Sequence, residues 1–251
     1  MVGIVPGSVA LVVTSPPYPM IPQWDGLVSR WGATDFESMH AELDRVWAKC
    51  YRALLPGGIL AVNVGDALRT FSHEFRLWPN HARVAMGADR IGYRSLPYIL
   101  WKKPTNKPNA FLGSGFLPPN AYVTLDCEFI LLFRKGGLRR FPPRSRSRRA
   151  SRYKKEERDV WFSQVWEGIR GIAQTRAGGR TGAFPPEIPR RLIRMFSVVG
   201  DTVLDPFAGT GTTLWEAARL GRHAIGIELD PGRAKELERQ RRRWGRSPTA
   251  R

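Results

Sequence analysis

The sequence predicts an α/β fold, an open sheet with helices on both of its faces, built as one domain of 251 residues. Two observations carry that expectation. Short apolar runs, among them Val9-Ala10-Leu11-Val12-Val13 and Ile59-Leu60-Ala61-Val62-Asn63-Val64, alternate with stretches whose apolar residues recur at helical spacing. Two of the runs also end abruptly in unusual chemistry. Thr14-Ser15-Pro16-Pro17-Tyr18 follows the first, and Asp205-Pro206-Phe207-Ala208-Gly209-Thr210-Gly211-Thr212-Thr213 follows Thr202-Val203-Leu204. Ligands gather outside the carboxyl ends of strands in open α/β sheets, so segments distant in sequence can face one pocket.

After the first motif, Thr34-Asp35-Phe36-Glu37 reads as a capping box, with the Thr34 oxygen and the Glu37 side chain satisfying free N–H groups at a helix start. Met39, Leu43, Val46, Trp47, Cys50 and Leu54 then recur at helical spacing and mark the face that packs on the sheet. Pro56-Gly57-Gly58 ends this helix, and Ile59 to Val64 is the next buried strand. Leu96 to Trp101 and Cys127 to Phe133 are strand-like and bracket a Pro/Asn-rich loop, which fits an antiparallel hairpin at the sheet edge.

From Arg134 to Arg158 the chain holds twelve Lys/Arg against two Glu, the composition of a loop or of an arm that orders on binding. Pro185-Pro186-Glu187 opens a helix carrying Ile188, Leu192, Ile193 and Phe196. Thr202 to Leu204 is a strand, the Gly-rich turn follows, and a helix runs from about Thr212 to Leu220. Ala224 to Ile227 makes a further strand ending at Glu228, and Pro231 starts a final basic helix. The chain shows no internal repeat.

Lys+Arg number 40 against 22 Asp+Glu, a net charge of +18, which fits a polyanionic partner and puts nucleic acid first. Cys50 and Cys127 are the only cysteines, and neither is spaced with a histidine as metal ligands are, so no metal is expected. They read as small reduced core residues. No run of about 18 apolar residues occurs, and Met1 to Pro6 lacks a basic region and a cleavage pattern. A soluble, cytoplasmic protein without membrane contact is the expectation.

Gly209 and Gly211 lie between a strand and a helix, where glycine lets a ligand approach the backbone. Glu228, at the end of the next strand, can accept both hydrogen bonds of a ribose diol, which implies a nucleoside. The loop lacks the Gly-Lys-Ser/Thr of a phosphate cradle, and Leu214 stands where a dinucleotide fingerprint has its third glycine. A cofactor without a phosphate chain fits best.

With these motifs the chain resembles the amino-methylating DNA methyltransferases, which pair a Ser/Asp/Asn-Pro-Pro-Tyr tetrapeptide with a Phe-x-Gly-x-Gly loop. The resemblance implies a class I, Rossmann-like S-adenosyl-L-methionine-dependent fold. The tetrapeptide comes first and the loop last, similar to the circularly permuted order of the beta group. Ser15 in first place is similar to cytosine-N4 enzymes, whereas Asp or Asn is more usual in adenine-N6 enzymes. By resemblance, Ser15, Pro16, Pro17 and Tyr18 are catalytic. Phe184, Pro185, Asp205, Phe207, Ala208, Gly209, Gly211, Thr212, Thr213 and Glu228 hold S-adenosyl-L-methionine by the same resemblance. Residues 102–160 correspond to the inserted target-recognition region. The family's adenine-binding acid has no counterpart between Met1 and Ser8, and its His-Pro before Phe184 reads Gly182-Ala183 here. The resemblance thus implies either another way of holding the adenine or a true start upstream.

An exocyclic amino group is a weak nucleophile because its lone pair is delocalised into the base. Acceptors for its hydrogens favour a tetrahedral nitrogen, and the Ser15 hydroxyl and Pro16 carbonyl are suitable. Consecutive prolines pre-aim that carbonyl, and Tyr18 offers a face for an extruded base. Cytosine-C5 chemistry is disfavoured, since neither cysteine follows a proline. The expectation is cytosine-N4 methylation of duplex DNA, with a cognate restriction endonuclease as the implied genetic partner and the oligomeric state open. Adenine-N6 methylation, an RNA substrate and a non-catalytic nucleic-acid binder on a degenerate methyltransferase fold are the alternatives. Lys102, Lys103, Trp78, Tyr98 and Trp101 are candidates for groove contact, although Trp and Tyr in strand-like runs are more often core, and the basic tail from Arg233 to Arg251 reads equally as a second phosphate strip or a solvated helix face.

Overall fold

The computed structural model describes residues 3–104, 123–172 and 184–244. Gly182, Ala183, residues 105–122 of the expected insertion and residues 245–251 of the basic tail lie outside them. The chain enters through β1 (Val9–Thr14), buried along its whole length. A tight turn at Pro22–Trp24 leads to the short α1 (Asp25–Ser29), and α2 (Phe36–Ala53) returns to β2 (Leu54–Val64). A hairpin of β3 (Ala67–Phe71) and β4 (Glu74–Trp78) precedes α3 (Asn80–Ile91). Then come β5 (Tyr93–Lys102), β6 (Cys127–Lys135), α4 (Arg146–Ala150), α5 (Lys155–Trp161) and β7 (Val165–Trp166). The last section is α6 (Glu187–Phe196), β8 (Thr202–Asp205), α7 (Thr212–Arg219), β9 (His223–Gly226) and α8 (Pro231–Trp244).

Seven strands form one sheet in the order β7-β5-β6-β2-β1-β8-β9. All neighbours are parallel except β6, which runs against both β5 and β2. The strand-end motifs of β1 and β8 are therefore side by side, because Leu11 and Val12 pair with Val203 and Leu204. Period-two alternation divides the core between two faces. Leu60, Val62 and Val64 meet Leu43, Trp47 and Cys50 of α2 and Val84 of α3 on one face. Ile59 and Ala61, with Leu11 and Val13, meet Ile188, Leu192 and Ile193 of α6 and Ala217 of α7 on the other. Trp47 has no exposed surface. Truncating such a side chain to alanine costs about 3–5 kcal/mol.

Several elements differ from the sequence expectation. The cap of α2 is Asp35, whose carboxylate accepts from Ser38 N at 2.9 Å while Ser38 Oγ accepts from Asp35 N at 3.1 Å. The reciprocal box thus lies one residue beyond Thr34/Glu37, and Glu37 turns aside to accept from Arg83 Nε at 2.7 Å. β2 starts at Leu54, with Leu55 to Gly58 bulging out of the ladder before Ile59 pairs with Leu11. β5 and β6 do form an antiparallel pair, but β7 lies outside them as the edge. The β3–β4 hairpin and α3 fall in a stretch between Val64 and Leu96 to which the sequence expectation assigned no element. Cys50 is buried as expected, whereas Cys127 is only half-buried. The basic arm is also more ordered than its composition suggests, with α4, α5, an Arg139–Asp201 pair at 2.6 Å and an Arg194–Glu157 pair at 2.9 Å.

Candidate active site and cofactor cavity

Beyond the carboxyl ends of β1, β8 and β9 lies a cavity of about 630 Å³. Of the residues singled out in sequence, Ser15, Pro17, Phe184, Asp205 and Phe207 line it, as do Ala208, Gly209, Thr212, Thr213 and Glu228. Pro16, Tyr18, Pro185 and Gly211 are next to lining residues in the chain but do not themselves line it. Trp24, Leu27 and Trp31, from the segment after the tetrapeptide, also line it, and the sequence pattern did not single them out.

The loop is folded by its own backbone. Ala208 N donates to Ile227 O at 2.9 Å, and Gly211 N donates to Ala208 O at 2.7 Å. Its two glycines serve different needs. Gly209 has φ +52°, and a Cβ there would meet nothing nearer than Phe207 O at 3.8 Å, so the backbone is open to a ligand. Gly211 caps α7 at φ +83°, and a Cβ there would come within 2.5 Å of Leu237 Cδ2 and 2.9 Å of Trp215 Nε1.

Glu228 is fixed by two backbone donors, Gly209 N on Oε2 and Asp230 N on Oε1, both at 2.8 Å. A carboxylate has about four acceptor sites, so one per oxygen remains for a diol. Asp205 is buried. Its Oδ1 accepts from Thr14 Oγ1 at 2.7 Å and from Phe207 N at 3.0 Å, tying the end of β1 to the Gly loop. Burial pushes its carboxyl up to about 6, against the opposing hydrogen bonds from Thr14, Thr213 and Phe207.

The tetrapeptide leads into a second polar group. Ser15 Oγ lies 3.0 Å from the Tyr18 hydroxyl, and that hydroxyl donates to Glu128 Oε2 at 2.8 Å. Asn63 Nδ2 donates both to the Tyr18 oxygen at 2.7 Å and to Glu128 Oε2 at 2.6 Å. Lys103 Nζ holds Glu128 Oε1 at 2.5 Å. The Tyr18 ring lies against Gly65, where a Cβ would be 3.2 Å from Cε2. Burial, reinforced by the Glu128 charge, drives the Tyr18 phenol well above its ordinary range, so it stays neutral. Asn63, Lys103 and Glu128 were missed as site residues. A polar residue inside each of two apolar strands, Asn63 in β2 and Glu128 in β6, was the available signal.

Four of the residues considered for groove contact have other partners, Lys102 among them through Glu167 Oε1 at 3.3 Å. Trp78 and Trp101 are buried, with their indole N–H groups on Arg69 O at 3.1 Å and Ile169 O at 3.0 Å. Lys103 belongs to the Tyr18 group, while Tyr98 is 41% exposed. The basic arm lies at the other end of the sheet. Because β6 runs antiparallel, Glu128 sits at the cavity end and Lys135 at the amino ends of β1 and β2. There Arg149, Arg152 and Arg158 border a cleft of about 1080 Å³ whose floor includes Ala10 and Ile59.

A hollow of this size over a Gly loop, with the Glu228 carboxylate in its lining and a polar group at the next strand end, is suited to a nucleoside cofactor. The DNA methylase family, whose members act on amino N6 or N4 positions, matches residues 9–239, and the chain belongs to that family. It is 56% identical to the Type II methyltransferase M.MjaI of Methanocaldococcus jannaschii, across 89% of this chain and 82% of that protein. M.MthZI of Methanothermobacter thermautotrophicus is 47% identical, across 89% and 68%. Among solved structures, a Thermus thermophilus protein described as a "putative DNA modification methylase", in complex with S-adenosyl-L-methionine, superposes with a TM-score of 0.76. The two are 38% identical, across 96% of this chain and 90% of that one. The PvuII DNA methyltransferase, described as cytosine-N4-specific, shares the fold at a TM-score of 0.65 and 19% identity.

The protein is therefore an S-adenosyl-L-methionine-dependent DNA methyltransferase. The open space at Gly209 and the remaining acceptor sites of Glu228 are compatible with a cofactor that carries a ribose diol. Among the described residues no helix is long and apolar enough to cross a membrane.

Proposed function

We propose that the enzyme methylates the exocyclic N4 of cytosine in a specific duplex sequence, on a base turned out of the helix. The observation carrying this reading is Ser15, which lines the cavity at the end of β1 together with Pro17, beside the strand that leads into the Gly loop. S-adenosyl-L-methionine supplies an electrophilic sulfonium methyl when bound. Ser15 Oγ and the Pro16 carbonyl accept the two amino hydrogens and direct the nitrogen lone pair toward the methyl. As the nitrogen–carbon bond forms, the sulfur–methyl bond would break and leave its electron pair on a neutral thioether sulfur, and the methylated nitrogen then gives one proton to water, with no covalent enzyme intermediate. Glu228 takes the ribose diol, and Asp205, Phe207 to Gly211, Thr212, Thr213, Phe184 and Pro185 surround the rest of the cofactor. Residues 102–160 carry target recognition in this reading, and a restriction endonuclease of matching specificity is the genetic partner.

The test is incubation with S-adenosyl-L-methionine and mixed-sequence duplex DNA, then digestion to nucleosides and mass spectrometry. N4-methylcytosine is expected. N6-methyladenine overturns the base assignment and keeps the mechanism, because the same two acceptors serve an adenine amino group. Ser15→Ala is expected to slow methyl transfer about 100-fold while leaving cofactor affinity intact. Equal loss of both contradicts the role given to its hydroxyl.

A further inference from the structure

The hydrogen-bond group behind the tetrapeptide allows its hydrogens to be placed by counting. Asn63 Nδ2 and the Lys103 ammonium can only donate, and both meet Glu128, Nδ2 on Oε2 at 2.6 Å and the ammonium on Oε1 at 2.5 Å. The carboxylate beside that cation is the acceptor, so the single Tyr18 hydroxyl hydrogen goes to Oε2, 2.8 Å away. The Tyr18 oxygen is left with two lone pairs and two neighbours. One is Asn63 Nδ2 at 2.7 Å, a fixed donor, and the other is Ser15 Oγ at 3.0 Å. With the phenol hydrogen already committed, Ser15 must donate its own. Its oxygen then faces the cavity with lone pairs only.

We propose that Glu128 is a positioning residue which, through Tyr18, turns the Ser15 hydroxyl hydrogen inward so that Ser15 meets the target amino group purely as an acceptor. The proposal rests on the reading of Ser15 as an amino-hydrogen acceptor. It explains how a hydroxyl, which can donate as readily as accept, takes a place that needs acceptance alone. It also makes the site selective against a keto base edge, whose oxygen would face lone pairs in place of a donor. The neutrality of the buried phenol supports this arrangement, since a phenolate would have no hydrogen for Glu128.

The test is a double-mutant cycle on the full chain, read by single-turnover methyl transfer to duplex DNA and by calorimetric binding of S-adenosyl-L-methionine. Glu128→Gln keeps the shape, but its amide can donate to Tyr18, freeing the phenol hydrogen for Ser15 and reversing the chain. The expected result is a transfer rate lowered about tenfold or more with unchanged cofactor affinity, and no further loss when Glu128→Gln is added to Ser15→Ala. Tyr18→Phe, which removes the acceptor for Ser15 and keeps the ring, is expected to show the same non-additivity. Glu128→Asp, which remains an acceptor, should recover part of the rate. If Glu128→Gln or Tyr18→Phe multiplies with Ser15→Ala, or Glu128→Gln alone leaves the rate unchanged, the relay is wrong while the Ser15 reading stands. A Ser15→Ala enzyme with unimpaired transfer overturns both.

Discussion

Glu228 and Asp205 end adjacent parallel strands yet are held in opposite ways. Glu228 is tied to two backbone N–H groups at the rim of the cavity and keeps acceptor capacity outward. Replacing it with alanine is expected to raise the dissociation constant for S-adenosyl-L-methionine about tenfold or more, with the transfer rate at saturating cofactor nearly unchanged. Calorimetry beside single-turnover kinetics checks the split, and unchanged affinity removes the ribose role. Asp205 is buried, and its carboxyl is raised to about 6 from the ordinary 3.8. The folded state therefore binds its proton more tightly than the unfolded chain does. This group favours folding fully below about pH 4 and progressively loses that effect as pH rises to about 6. Asp205→Asn keeps an oxygen for Thr14 and Phe207. Its stability relative to the parent should improve across that window by up to about 2–3 kcal/mol and then level off, as followed by urea unfolding of the cofactor-free enzyme. A difference independent of pH would mean that Asp205 is not the titrating group.

At the scale of elements, the Gly loop shows why one short motif contains two unlike glycines. The turn from β8 into α7 needs a left-handed residue at Gly211, and α8 closes over it through Leu237. Gly211→Ala is expected to lower stability by about 1–3 kcal/mol in urea denaturation. Gly209→Ala has open space around it, so its main effect should be weaker cofactor binding at a smaller cost in stability. Equal stability losses at both positions would contradict this division. The pattern Gly-x-Gly was legible in sequence, but the difference was not, because the Leu237 contact comes from another helix. The start of α2 has a similar lesson. Thr34/Glu37 and Asp35/Ser38 both satisfy a capping pattern, and the choice fell to Asp35 where Glu37 also gains Arg83 from α3.

For the whole molecule, the direction of one strand decides most. Running antiparallel, β6 brings Glu128 to the Tyr18 side of the cavity and delivers the basic arm to the amino ends of the strands. The six residues of β1 separate the two ends by about 17 Å. The arm's charge is therefore expected to act on overall DNA affinity and not on the chemical step. Replacing the exposed Arg149, Arg152 and Arg158 with alanine should reduce the slope of log affinity against log salt by about 1–3, with single-turnover methylation at saturating DNA unchanged. An unaltered slope would show that these arginines make no phosphate contact.

The sequence alone determined the alternation of strands and helices, the two strand-end motifs and the nucleoside character of the cofactor, because period, glycine and proline act within a few residues of one another. Only the tertiary structure decided which polar groups those motifs meet. Thr14 finds Asp205 across 191 positions and Tyr18 finds Glu128 across 110, through strand order and direction. No local pattern encodes that order, since every buried apolar strand is a comparable neighbour for every other until the whole sheet assembles. The same assembly buried Trp78 and Trp101, which local chemistry had left open to the groove.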